Sequence, residues 1–162
     1  GTELHRCIEY FYNEEPFENN SIEFKYFSNF LVDYPELEAY RTEWEVYHEE
    51  LDLAGSIDMV YKNEDGTFDI YDWKRSKEIK RQNNFESGKG VLSHLPNCNF
   101  FHYGLQLNVY KYILESKYNV HVRKLCLVVL HPDNENYIRI ECPNLQDEVI
   151  HLINERKNYL KT

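Results

Sequence analysis

Apolar residues recur at helical spacing at both ends of the chain and at every second position in its middle. Residues 3–13 place Leu4, Cys7, Ile8, Phe11 and Tyr12 at i, i+3, i+4, i+7 and i+8. That is one stripe of an amphipathic helix, with Thr2 at the N-cap position. Residues 14–21 are acidic and Asn-rich, with Pro16, and read as a loop. A second helix follows over 22–33, carrying Ile22, Phe24, Phe27, Phe30 and Leu31, and Pro35 breaks it. From residue 42 the pattern changes. Residues 42–49 and 67–74 alternate, and 53–61 form an apolar run, so three strands are predicted. Asn63–Gly66, with Asp-Gly at its end, is a hairpin turn. The stretch 42–74 therefore predicts an antiparallel meander. After a polar segment over 75–99, residues 100–117 predict a helix with Phe101, Leu105, Val109, Tyr112 and Ile113 inward. Strands at 122–131 and 137–142 follow, then a final helix capped by Asn144 and bearing Leu145, Val149, Leu152, Ile153 and Leu160. The order α, α, β, β, β, α, β, β, α predicts an α/β domain with a mixed central sheet flanked by helices.

A chain of 162 residues, 42% of them apolar, fits one domain that buries roughly 70% of its unfolded surface. The 15% aromatic content, with fourteen Tyr, excludes a disordered tail, a collagen-like repeat or a linker. No apolar run approaches the roughly 20 residues needed to cross a bilayer, so no membrane partner is expected. Eighteen basic against 28 acidic residues give a net charge of −10. A surface of that sign repels phosphate backbones at long range, which argues against a purely electrostatic nucleic-acid binder. It leaves room for a carboxylate-rich metal centre beside a local basic strip. Cys7, Cys98, Cys126 and Cys142 show no Cys-x-x-Cys spacing and are expected to be reduced thiols in an intracellular, reducing compartment. No iron–sulfur cluster is expected. The chain opens on Gly1 rather than Met, so residues 1–162 are expected to be a single domain excised from a longer protein.

Chemistry concentrates at the end of the third predicted strand, Asp72-Trp73-Lys74. Residues two apart on a strand share a face, so Asp72 and Lys74 project together. Across the tight turn, Asp58 of the preceding strand can lie beside Asp72. Two close carboxylates repel unless a cation lies between them, and oxygen ligands of this kind suit Mg²⁺ or Mn²⁺. Lys74 supplies a positive charge that can orient a water or stabilise an oxyanion, and the Trp73 carbonyl is a further candidate ligand. The same residues also fit edge carboxylates paired with Lys74 or Arg75. His5, in the first turn of the first helix, can complete a metal site, although a lone helical His is as readily a surface or core residue. Gln106 and Tyr110 sit i, i+4 on one helix face. Arg75, Ser76, Lys77, Lys80, Arg81 and Lys89 extend a basic strip from Lys74, suited to phosphate or to a solvated loop. Phe85, Phe100, Phe101 and Tyr103 can stack on unpaired bases or belong to the core.

In order, Gly1-Thr-x-x-His5, Gly55-x-x-Asp58, Asp72-Trp-Lys74 and Gln106-x-x-x-Tyr110 resemble the PD-(D/E)xK nuclease superfamily, in its RecB-like branch. The motifs cover residues 1–110; beyond 115 the likeness is one of architecture. The resemblance implies a restriction-endonuclease-like core, αβββαβ. It implies that His5, Asp58, Asp72 and the Trp73 carbonyl bind one or two Mg²⁺ or Mn²⁺ ions and that Lys74 is the catalytic lysine. Gln106 and Tyr110 would hold the site or the DNA strand, and Glu43, fifteen residues before Asp58, would assist, with Glu45 on the same strand face as its competitor. The implied activity is hydrolysis of DNA to 5′-phosphate and 3′-hydroxyl ends, exonuclease-like on single strands, in a parent that carries or meets a helicase or primase module. Three other readings stand beside it: a non-catalytic nucleic-acid-binding or scaffold domain on the same fold, a zinc site at His94, Cys98 and His102, and an acidic protein-interaction module.

Overall fold

The computed structural model describes residues 2–76 and 99–161. Helices α1 (Thr2–Tyr12) and α2 (Ile22–Asp33) lead into strands β1 (Glu38–His48), β2 (Leu53–Lys62) and β3 (Phe68–Lys74). Helix α3 (Asn99–Lys117), strands β4 (Val122–Val129) and β5 (Ile138–Glu141) and helix α4 (Gln146–Lys161) follow, and a 3-10 turn at Glu49–Leu51 joins β1 to β2. The five strands form one sheet in the order β1-β2-β3-β4-β5. The first three pair antiparallel, as a meander should. β3 and β4 then run parallel, which requires a long crossover, and α3 lies on it. β5 returns antiparallel.

Alternation along β3 sorts the core into two layers. Phe68 and Ile70 pack with Leu107, Ile113 and Leu114 of α3, whereas Tyr71 and Trp73 pack with Ile8 of α1 and Phe27 and Phe30 of α2. Pro35 ends α2 as expected, the chain leaving the helix at Tyr34, and at its start Ser21 Oγ accepts the Phe24 N–H at 3.2 Å. Gly66 takes φ +86° in the hairpin, the left-handed backbone that favours glycine. Cys7, Cys126 and Cys142 are buried; Cys98 lies outside the described residues.

Several expectations need correction. Thr2 is already helical, so it is not the cap of α1. β1 starts at Glu38 rather than 42: residues 38–41 are all exposed at the sheet edge, so the buried-and-exposed alternation that marks a strand does not extend to them. The stripe expected inward on α3 is only half right. Phe100, Leu107, Tyr110, Ile113 and Leu114 are buried toward the sheet, while Leu105, Val109 and Tyr112 are partly buried against Leu51, Val149 and Ile153 of the α4 layer. A helix sandwiched between a sheet and a second helix is apolar on two sides, so its periodicity does not single out one. Leu160 is exposed at the end of α4. Asn144 Oδ1 does accept the Gln146 N–H, at 2.9 Å. Buried Asn108, whose amide joins Gly104 O, Pro143 O and the Leu145 N–H, fastens α3 to the start of α4, and the apolar pattern gave no sign of it.

Candidate active site

The site lies where the pairing of β2 is interrupted: its ladder with β3 ends, and its ladder with β1 skips one pair. Its ladder with β3 runs from Lys62↔Phe68 to Met59↔Tyr71 and stops one pair short of Asp58 and Asp72. Asp58 Oδ2 instead accepts the Trp73 N–H at 3.0 Å, so a carboxylate takes the place of the missing strand partner. On the other side, pairing with β1 skips from Thr42↔Met59 to Trp44↔Ile57. The skipped residue is Glu43, with φ +44°, a left-handed conformation uncommon for a glutamate and costly unless its surroundings enforce it. Side-chain alternation breaks at the same point. Ile57 joins the α3-side cluster and Met59 the α1/α2-side cluster, although residues two apart on a regular strand share a face.

His5 reaches this break from the first turns of α1. Its Nε2 lies 3.1 Å from Asp58 Oδ2 and 2.9 Å from the Trp73 carbonyl oxygen. Both are acceptors, so this nitrogen carries the proton here. Lys74 Nζ sits 2.7 Å from Asp72 Oδ2 and 4.1 Å from the centroid of the Tyr103 ring. Asp72 Oδ2 is buried, and the Lys74 ammonium is the cation that balances it. On α3, Gln106 Nε2 donates to the Tyr110 hydroxyl at 2.9 Å. The Tyr110 ring presses on β2 at Gly55: a Cβ there would come within 2.4 Å of Tyr110 Cε1. The glycine three residues before Asp58 thus admits the tyrosine that closes the site.

The carboxylates load one another. Burial first, and then the charge of Asp58, push the Asp72 carboxyl well above the ordinary carboxylate range, with Lys74 pulling the other way. For Asp58 burial also disfavours the charge, but bonds from His5, from Asp72 and from the Trp73 N–H outweigh it and hold the group low. The two lie close enough to share a proton. Glu43 is pushed up to about 7, by burial and then by Asp58. The Tyr110 phenol is raised by burial and by the charges of Asp72 and Asp58. A cluster of carboxylates this crowded attracts a cation.

Among the described residues no three His, Cys, Asp or Glu side chains form a ready metal cluster. The donor atoms present are of mixed origin: one imidazole nitrogen, one carboxylate oxygen and one backbone carbonyl, with the buried Asp72 carboxylate beside them. The separations of 3.1 and 2.9 Å from His5 Nε2 match the roughly 3 Å between adjacent ligands of an octahedral ion with bonds of about 2.1 Å. The residues fit a small divalent cation, provided His5 moves its proton to Nδ1 and frees the Nε2 lone pair.

The other candidates divide. Glu43 faces Asp58, whereas Glu45 is exposed. Arg75 pairs with Glu23 at the start of α2, Nε to Oε2 2.9 Å, and so is held by the protein. Ser76 is half-buried; Lys77, Lys80, Arg81, Lys89, Phe85, His94 and Cys98 lie outside the described residues. Phe100 is 8% exposed and belongs to the core with Phe101, so base stacking is not its role. His102 is exposed on α3. The contact of Tyr103 with Lys74 was not read from the sequence; Tyr103 lies seven residues, two helical turns, before Tyr110, and that spacing was the available signal.

The family model of the PD-(D/E)XK nuclease superfamily matches residues 8–158, and the chain belongs to that superfamily. Its members generally use divalent metals. Solved structures that resemble this chain include a "Putative exonuclease" of Eubacterium rectale, at 13% identity and a TM-score of 0.42, covering 93% of this chain and 73% of that one. Another is the protein SSO0001, at 18% identity and a TM-score of 0.40, covering 83% of this chain and 55% of that one. A search of curated proteins finds no match. Among the described residues no helix is long and apolar enough to cross a membrane.

Proposed function

We propose that this domain is a divalent-metal-dependent deoxyribonuclease that hydrolyses phosphodiester bonds to 5′-phosphate and 3′-hydroxyl ends, exonuclease-like on single-stranded DNA. One observation carries the reading: His5 Nε2 lies within 3.1 Å of both Asp58 Oδ2 and the Trp73 carbonyl, beside buried Asp72 paired with the Lys74 ammonium. Membership of the nuclease superfamily supports the class. The strand preference and a helicase or primase partner come from the RecB-like resemblance.

In this reading His5, Asp58, Asp72 and the Trp73 carbonyl hold the ion, Mg²⁺ or Mn²⁺. Bound there, it supplies a Lewis acid that lowers the pKa of the attacking water and offsets charge on the phosphate. Lys74, next to Asp72, orients that water and stabilises the negative charge that builds on phosphorus. Tyr110, fixed by Gln106 and by the space at Gly55, walls the pocket and bars competing water. Glu43, half-buried beside Asp58, would assist at the edge of the site. Lys77, Lys80, Arg81 and Lys89, the basic residues that follow Arg75 in the sequence, would draw the phosphate backbone toward an otherwise acidic surface.

The test is one gel with end-labelled single- and double-stranded DNA and RNA, in Mg²⁺, Mn²⁺ or EDTA, with Asp72→Ala as control. Metal-dependent cleavage of DNA by the wild type alone is the expected result. DNA binding with no cleavage in any metal would favour the scaffold reading instead.

A further inference from the structure

We propose that Tyr103 is a positioning residue for the Lys74 ammonium, holding it in place through the face of its ring. The inference deepens the nuclease reading and rests on it. Among the described residues Lys74 has two partners, and they act differently. Asp72 Oδ2, at 2.7 Å, holds the ammonium by charge. The Tyr103 ring, with Nζ 4.1 Å from its centroid, supplies the second restraint. An ammonium over an aromatic face is attracted by the ring quadrupole, most strongly when water is scarce, and Lys74 is 20% exposed.

The two restraints respond in opposite ways to a bound cation. When Asp72 shares its charge with a divalent ion, its hold on Lys74 weakens and the ion repels the ammonium. The neutral ring keeps its hold. Tyr103 is therefore the contact that keeps Lys74 beside Asp72 when the site is loaded. Its place on α3 is part of the same design: it lies seven residues before Tyr110, so one helix face presents the ring under the lysine and the ring that closes the pocket. The phenol oxygen is not needed for this role; the ring is.

Two measurements test it. In the metal-free protein, NMR of Lys74, assigned with Lys74→Arg, is expected to show the ε-methylene protons shifted upfield by the ring current. Tyr103→Phe retains the shift and Tyr103→Leu loses it. In the cleavage assay with saturating Mg²⁺, Tyr103→Leu is expected to lose about fivefold to thirtyfold in kcat with KM little changed, and Tyr103→Phe to restore most of it. Replacing the residue by phenylalanines of increasing fluorination should lower kcat stepwise while thermal unfolding stays level. Absence of the ring-current shift overturns the proposal whether or not the protein cleaves DNA. Equal kcat for the Leu and Phe variants overturns it within an active enzyme. A wild type that shows the shift but cleaves nothing overturns the nuclease reading and the positioning role with it.

Discussion

Asp69 and Asp72 stand three residues apart on β3, are 2% and 6% exposed, and have opposite fates. Asp69 sits at the paired end of the β2–β3 hairpin. Its oxygens accept from the Asn63 amide at 3.0 Å, the Lys124 N–H at 3.1 Å and the Arg123 guanidinium at 3.2 Å. Asp72 sits where the ladder has ended. It faces a second carboxylate, which repels it, and the Lys74 ammonium, 2.7 Å from Oδ2, is its one positive partner among the described residues. Burial is the same; satisfaction is not. A buried charge whose donors are all supplied is structural, whereas one left wanting is kept for something the protein binds.

The contrast predicts that the two aspartates fail in different assays. Asp72→Asn should reduce cleavage on the order of 10³-fold while the fold persists, and Lys74→Ala by about 10²-fold, both read as single-turnover rates in Mg²⁺. Near-wild-type cleavage by Lys74→Ala would reject its role. Asp69→Ala should leave turnover per folded molecule intact but cost about 2–3 kcal/mol in urea unfolding, because it strands the buried Lys124 N–H and the Asn63 amide. An Asp69→Ala protein that is stable yet inactive would break the comparison.

How far the sequence revealed this follows from what kind of signal each feature carries. Strand period and an Asp-Gly turn are local, so the meander and the juxtaposition of Asp58 with Asp72 could be read directly. The motif order then placed His5, Gln106 and Tyr110. What stayed hidden is non-local. Glu23 lies 52 residues from Arg75, so the ion pair that withdraws Arg75 from the basic strip has no sequence trace. The left-handed Glu43 carries no glycine or asparagine to announce it. The two-sided burial of α3 blurred its period. Asp69 looked like one more alternating polar residue until its donors from Asn63, Arg123 and Lys124 were in place.

A third prediction concerns the side of the site that packing, not charge, controls. Gly55→Ala drives a methyl into the buried Tyr110 ring, and the ring must move. Overpacking of this kind costs about 1–3 kcal/mol. The displaced hydroxyl should also lose its bond to Gln106. Combining Gly55→Ala with Tyr110→Leu, which removes the obstructing ring, should recover part of the stability without the activity. Full additivity of the two changes would show that the glycine is not there for the tyrosine.

The smallest expected effect is a pH dependence confined to the unsatisfied end of the hairpin. In the metal-free protein Glu43 is raised to about 7 from its ordinary 4.5, and Asp72 shifts in the same direction. A carboxyl whose folded pKa lies above its unfolded one binds more proton in the native state between the two values. Its contribution is therefore present in full below the unfolded pKa and is lost as pH climbs through the folded one. In EDTA the melting temperature should fall between about pH 5 and pH 7.5, and Glu43→Gln should flatten that fall. Glu43 is only half-buried, so solvent screening limits the change to about 2–4 °C. Mg²⁺ at pH 7.5 should reverse the decline, since it replaces the protons as the positive charge among the carboxylates. A Glu43→Gln protein with the same slope as wild type would remove Glu43 from the set of groups that await a cation, and would leave Asp58 and Asp72 to account for the titration alone.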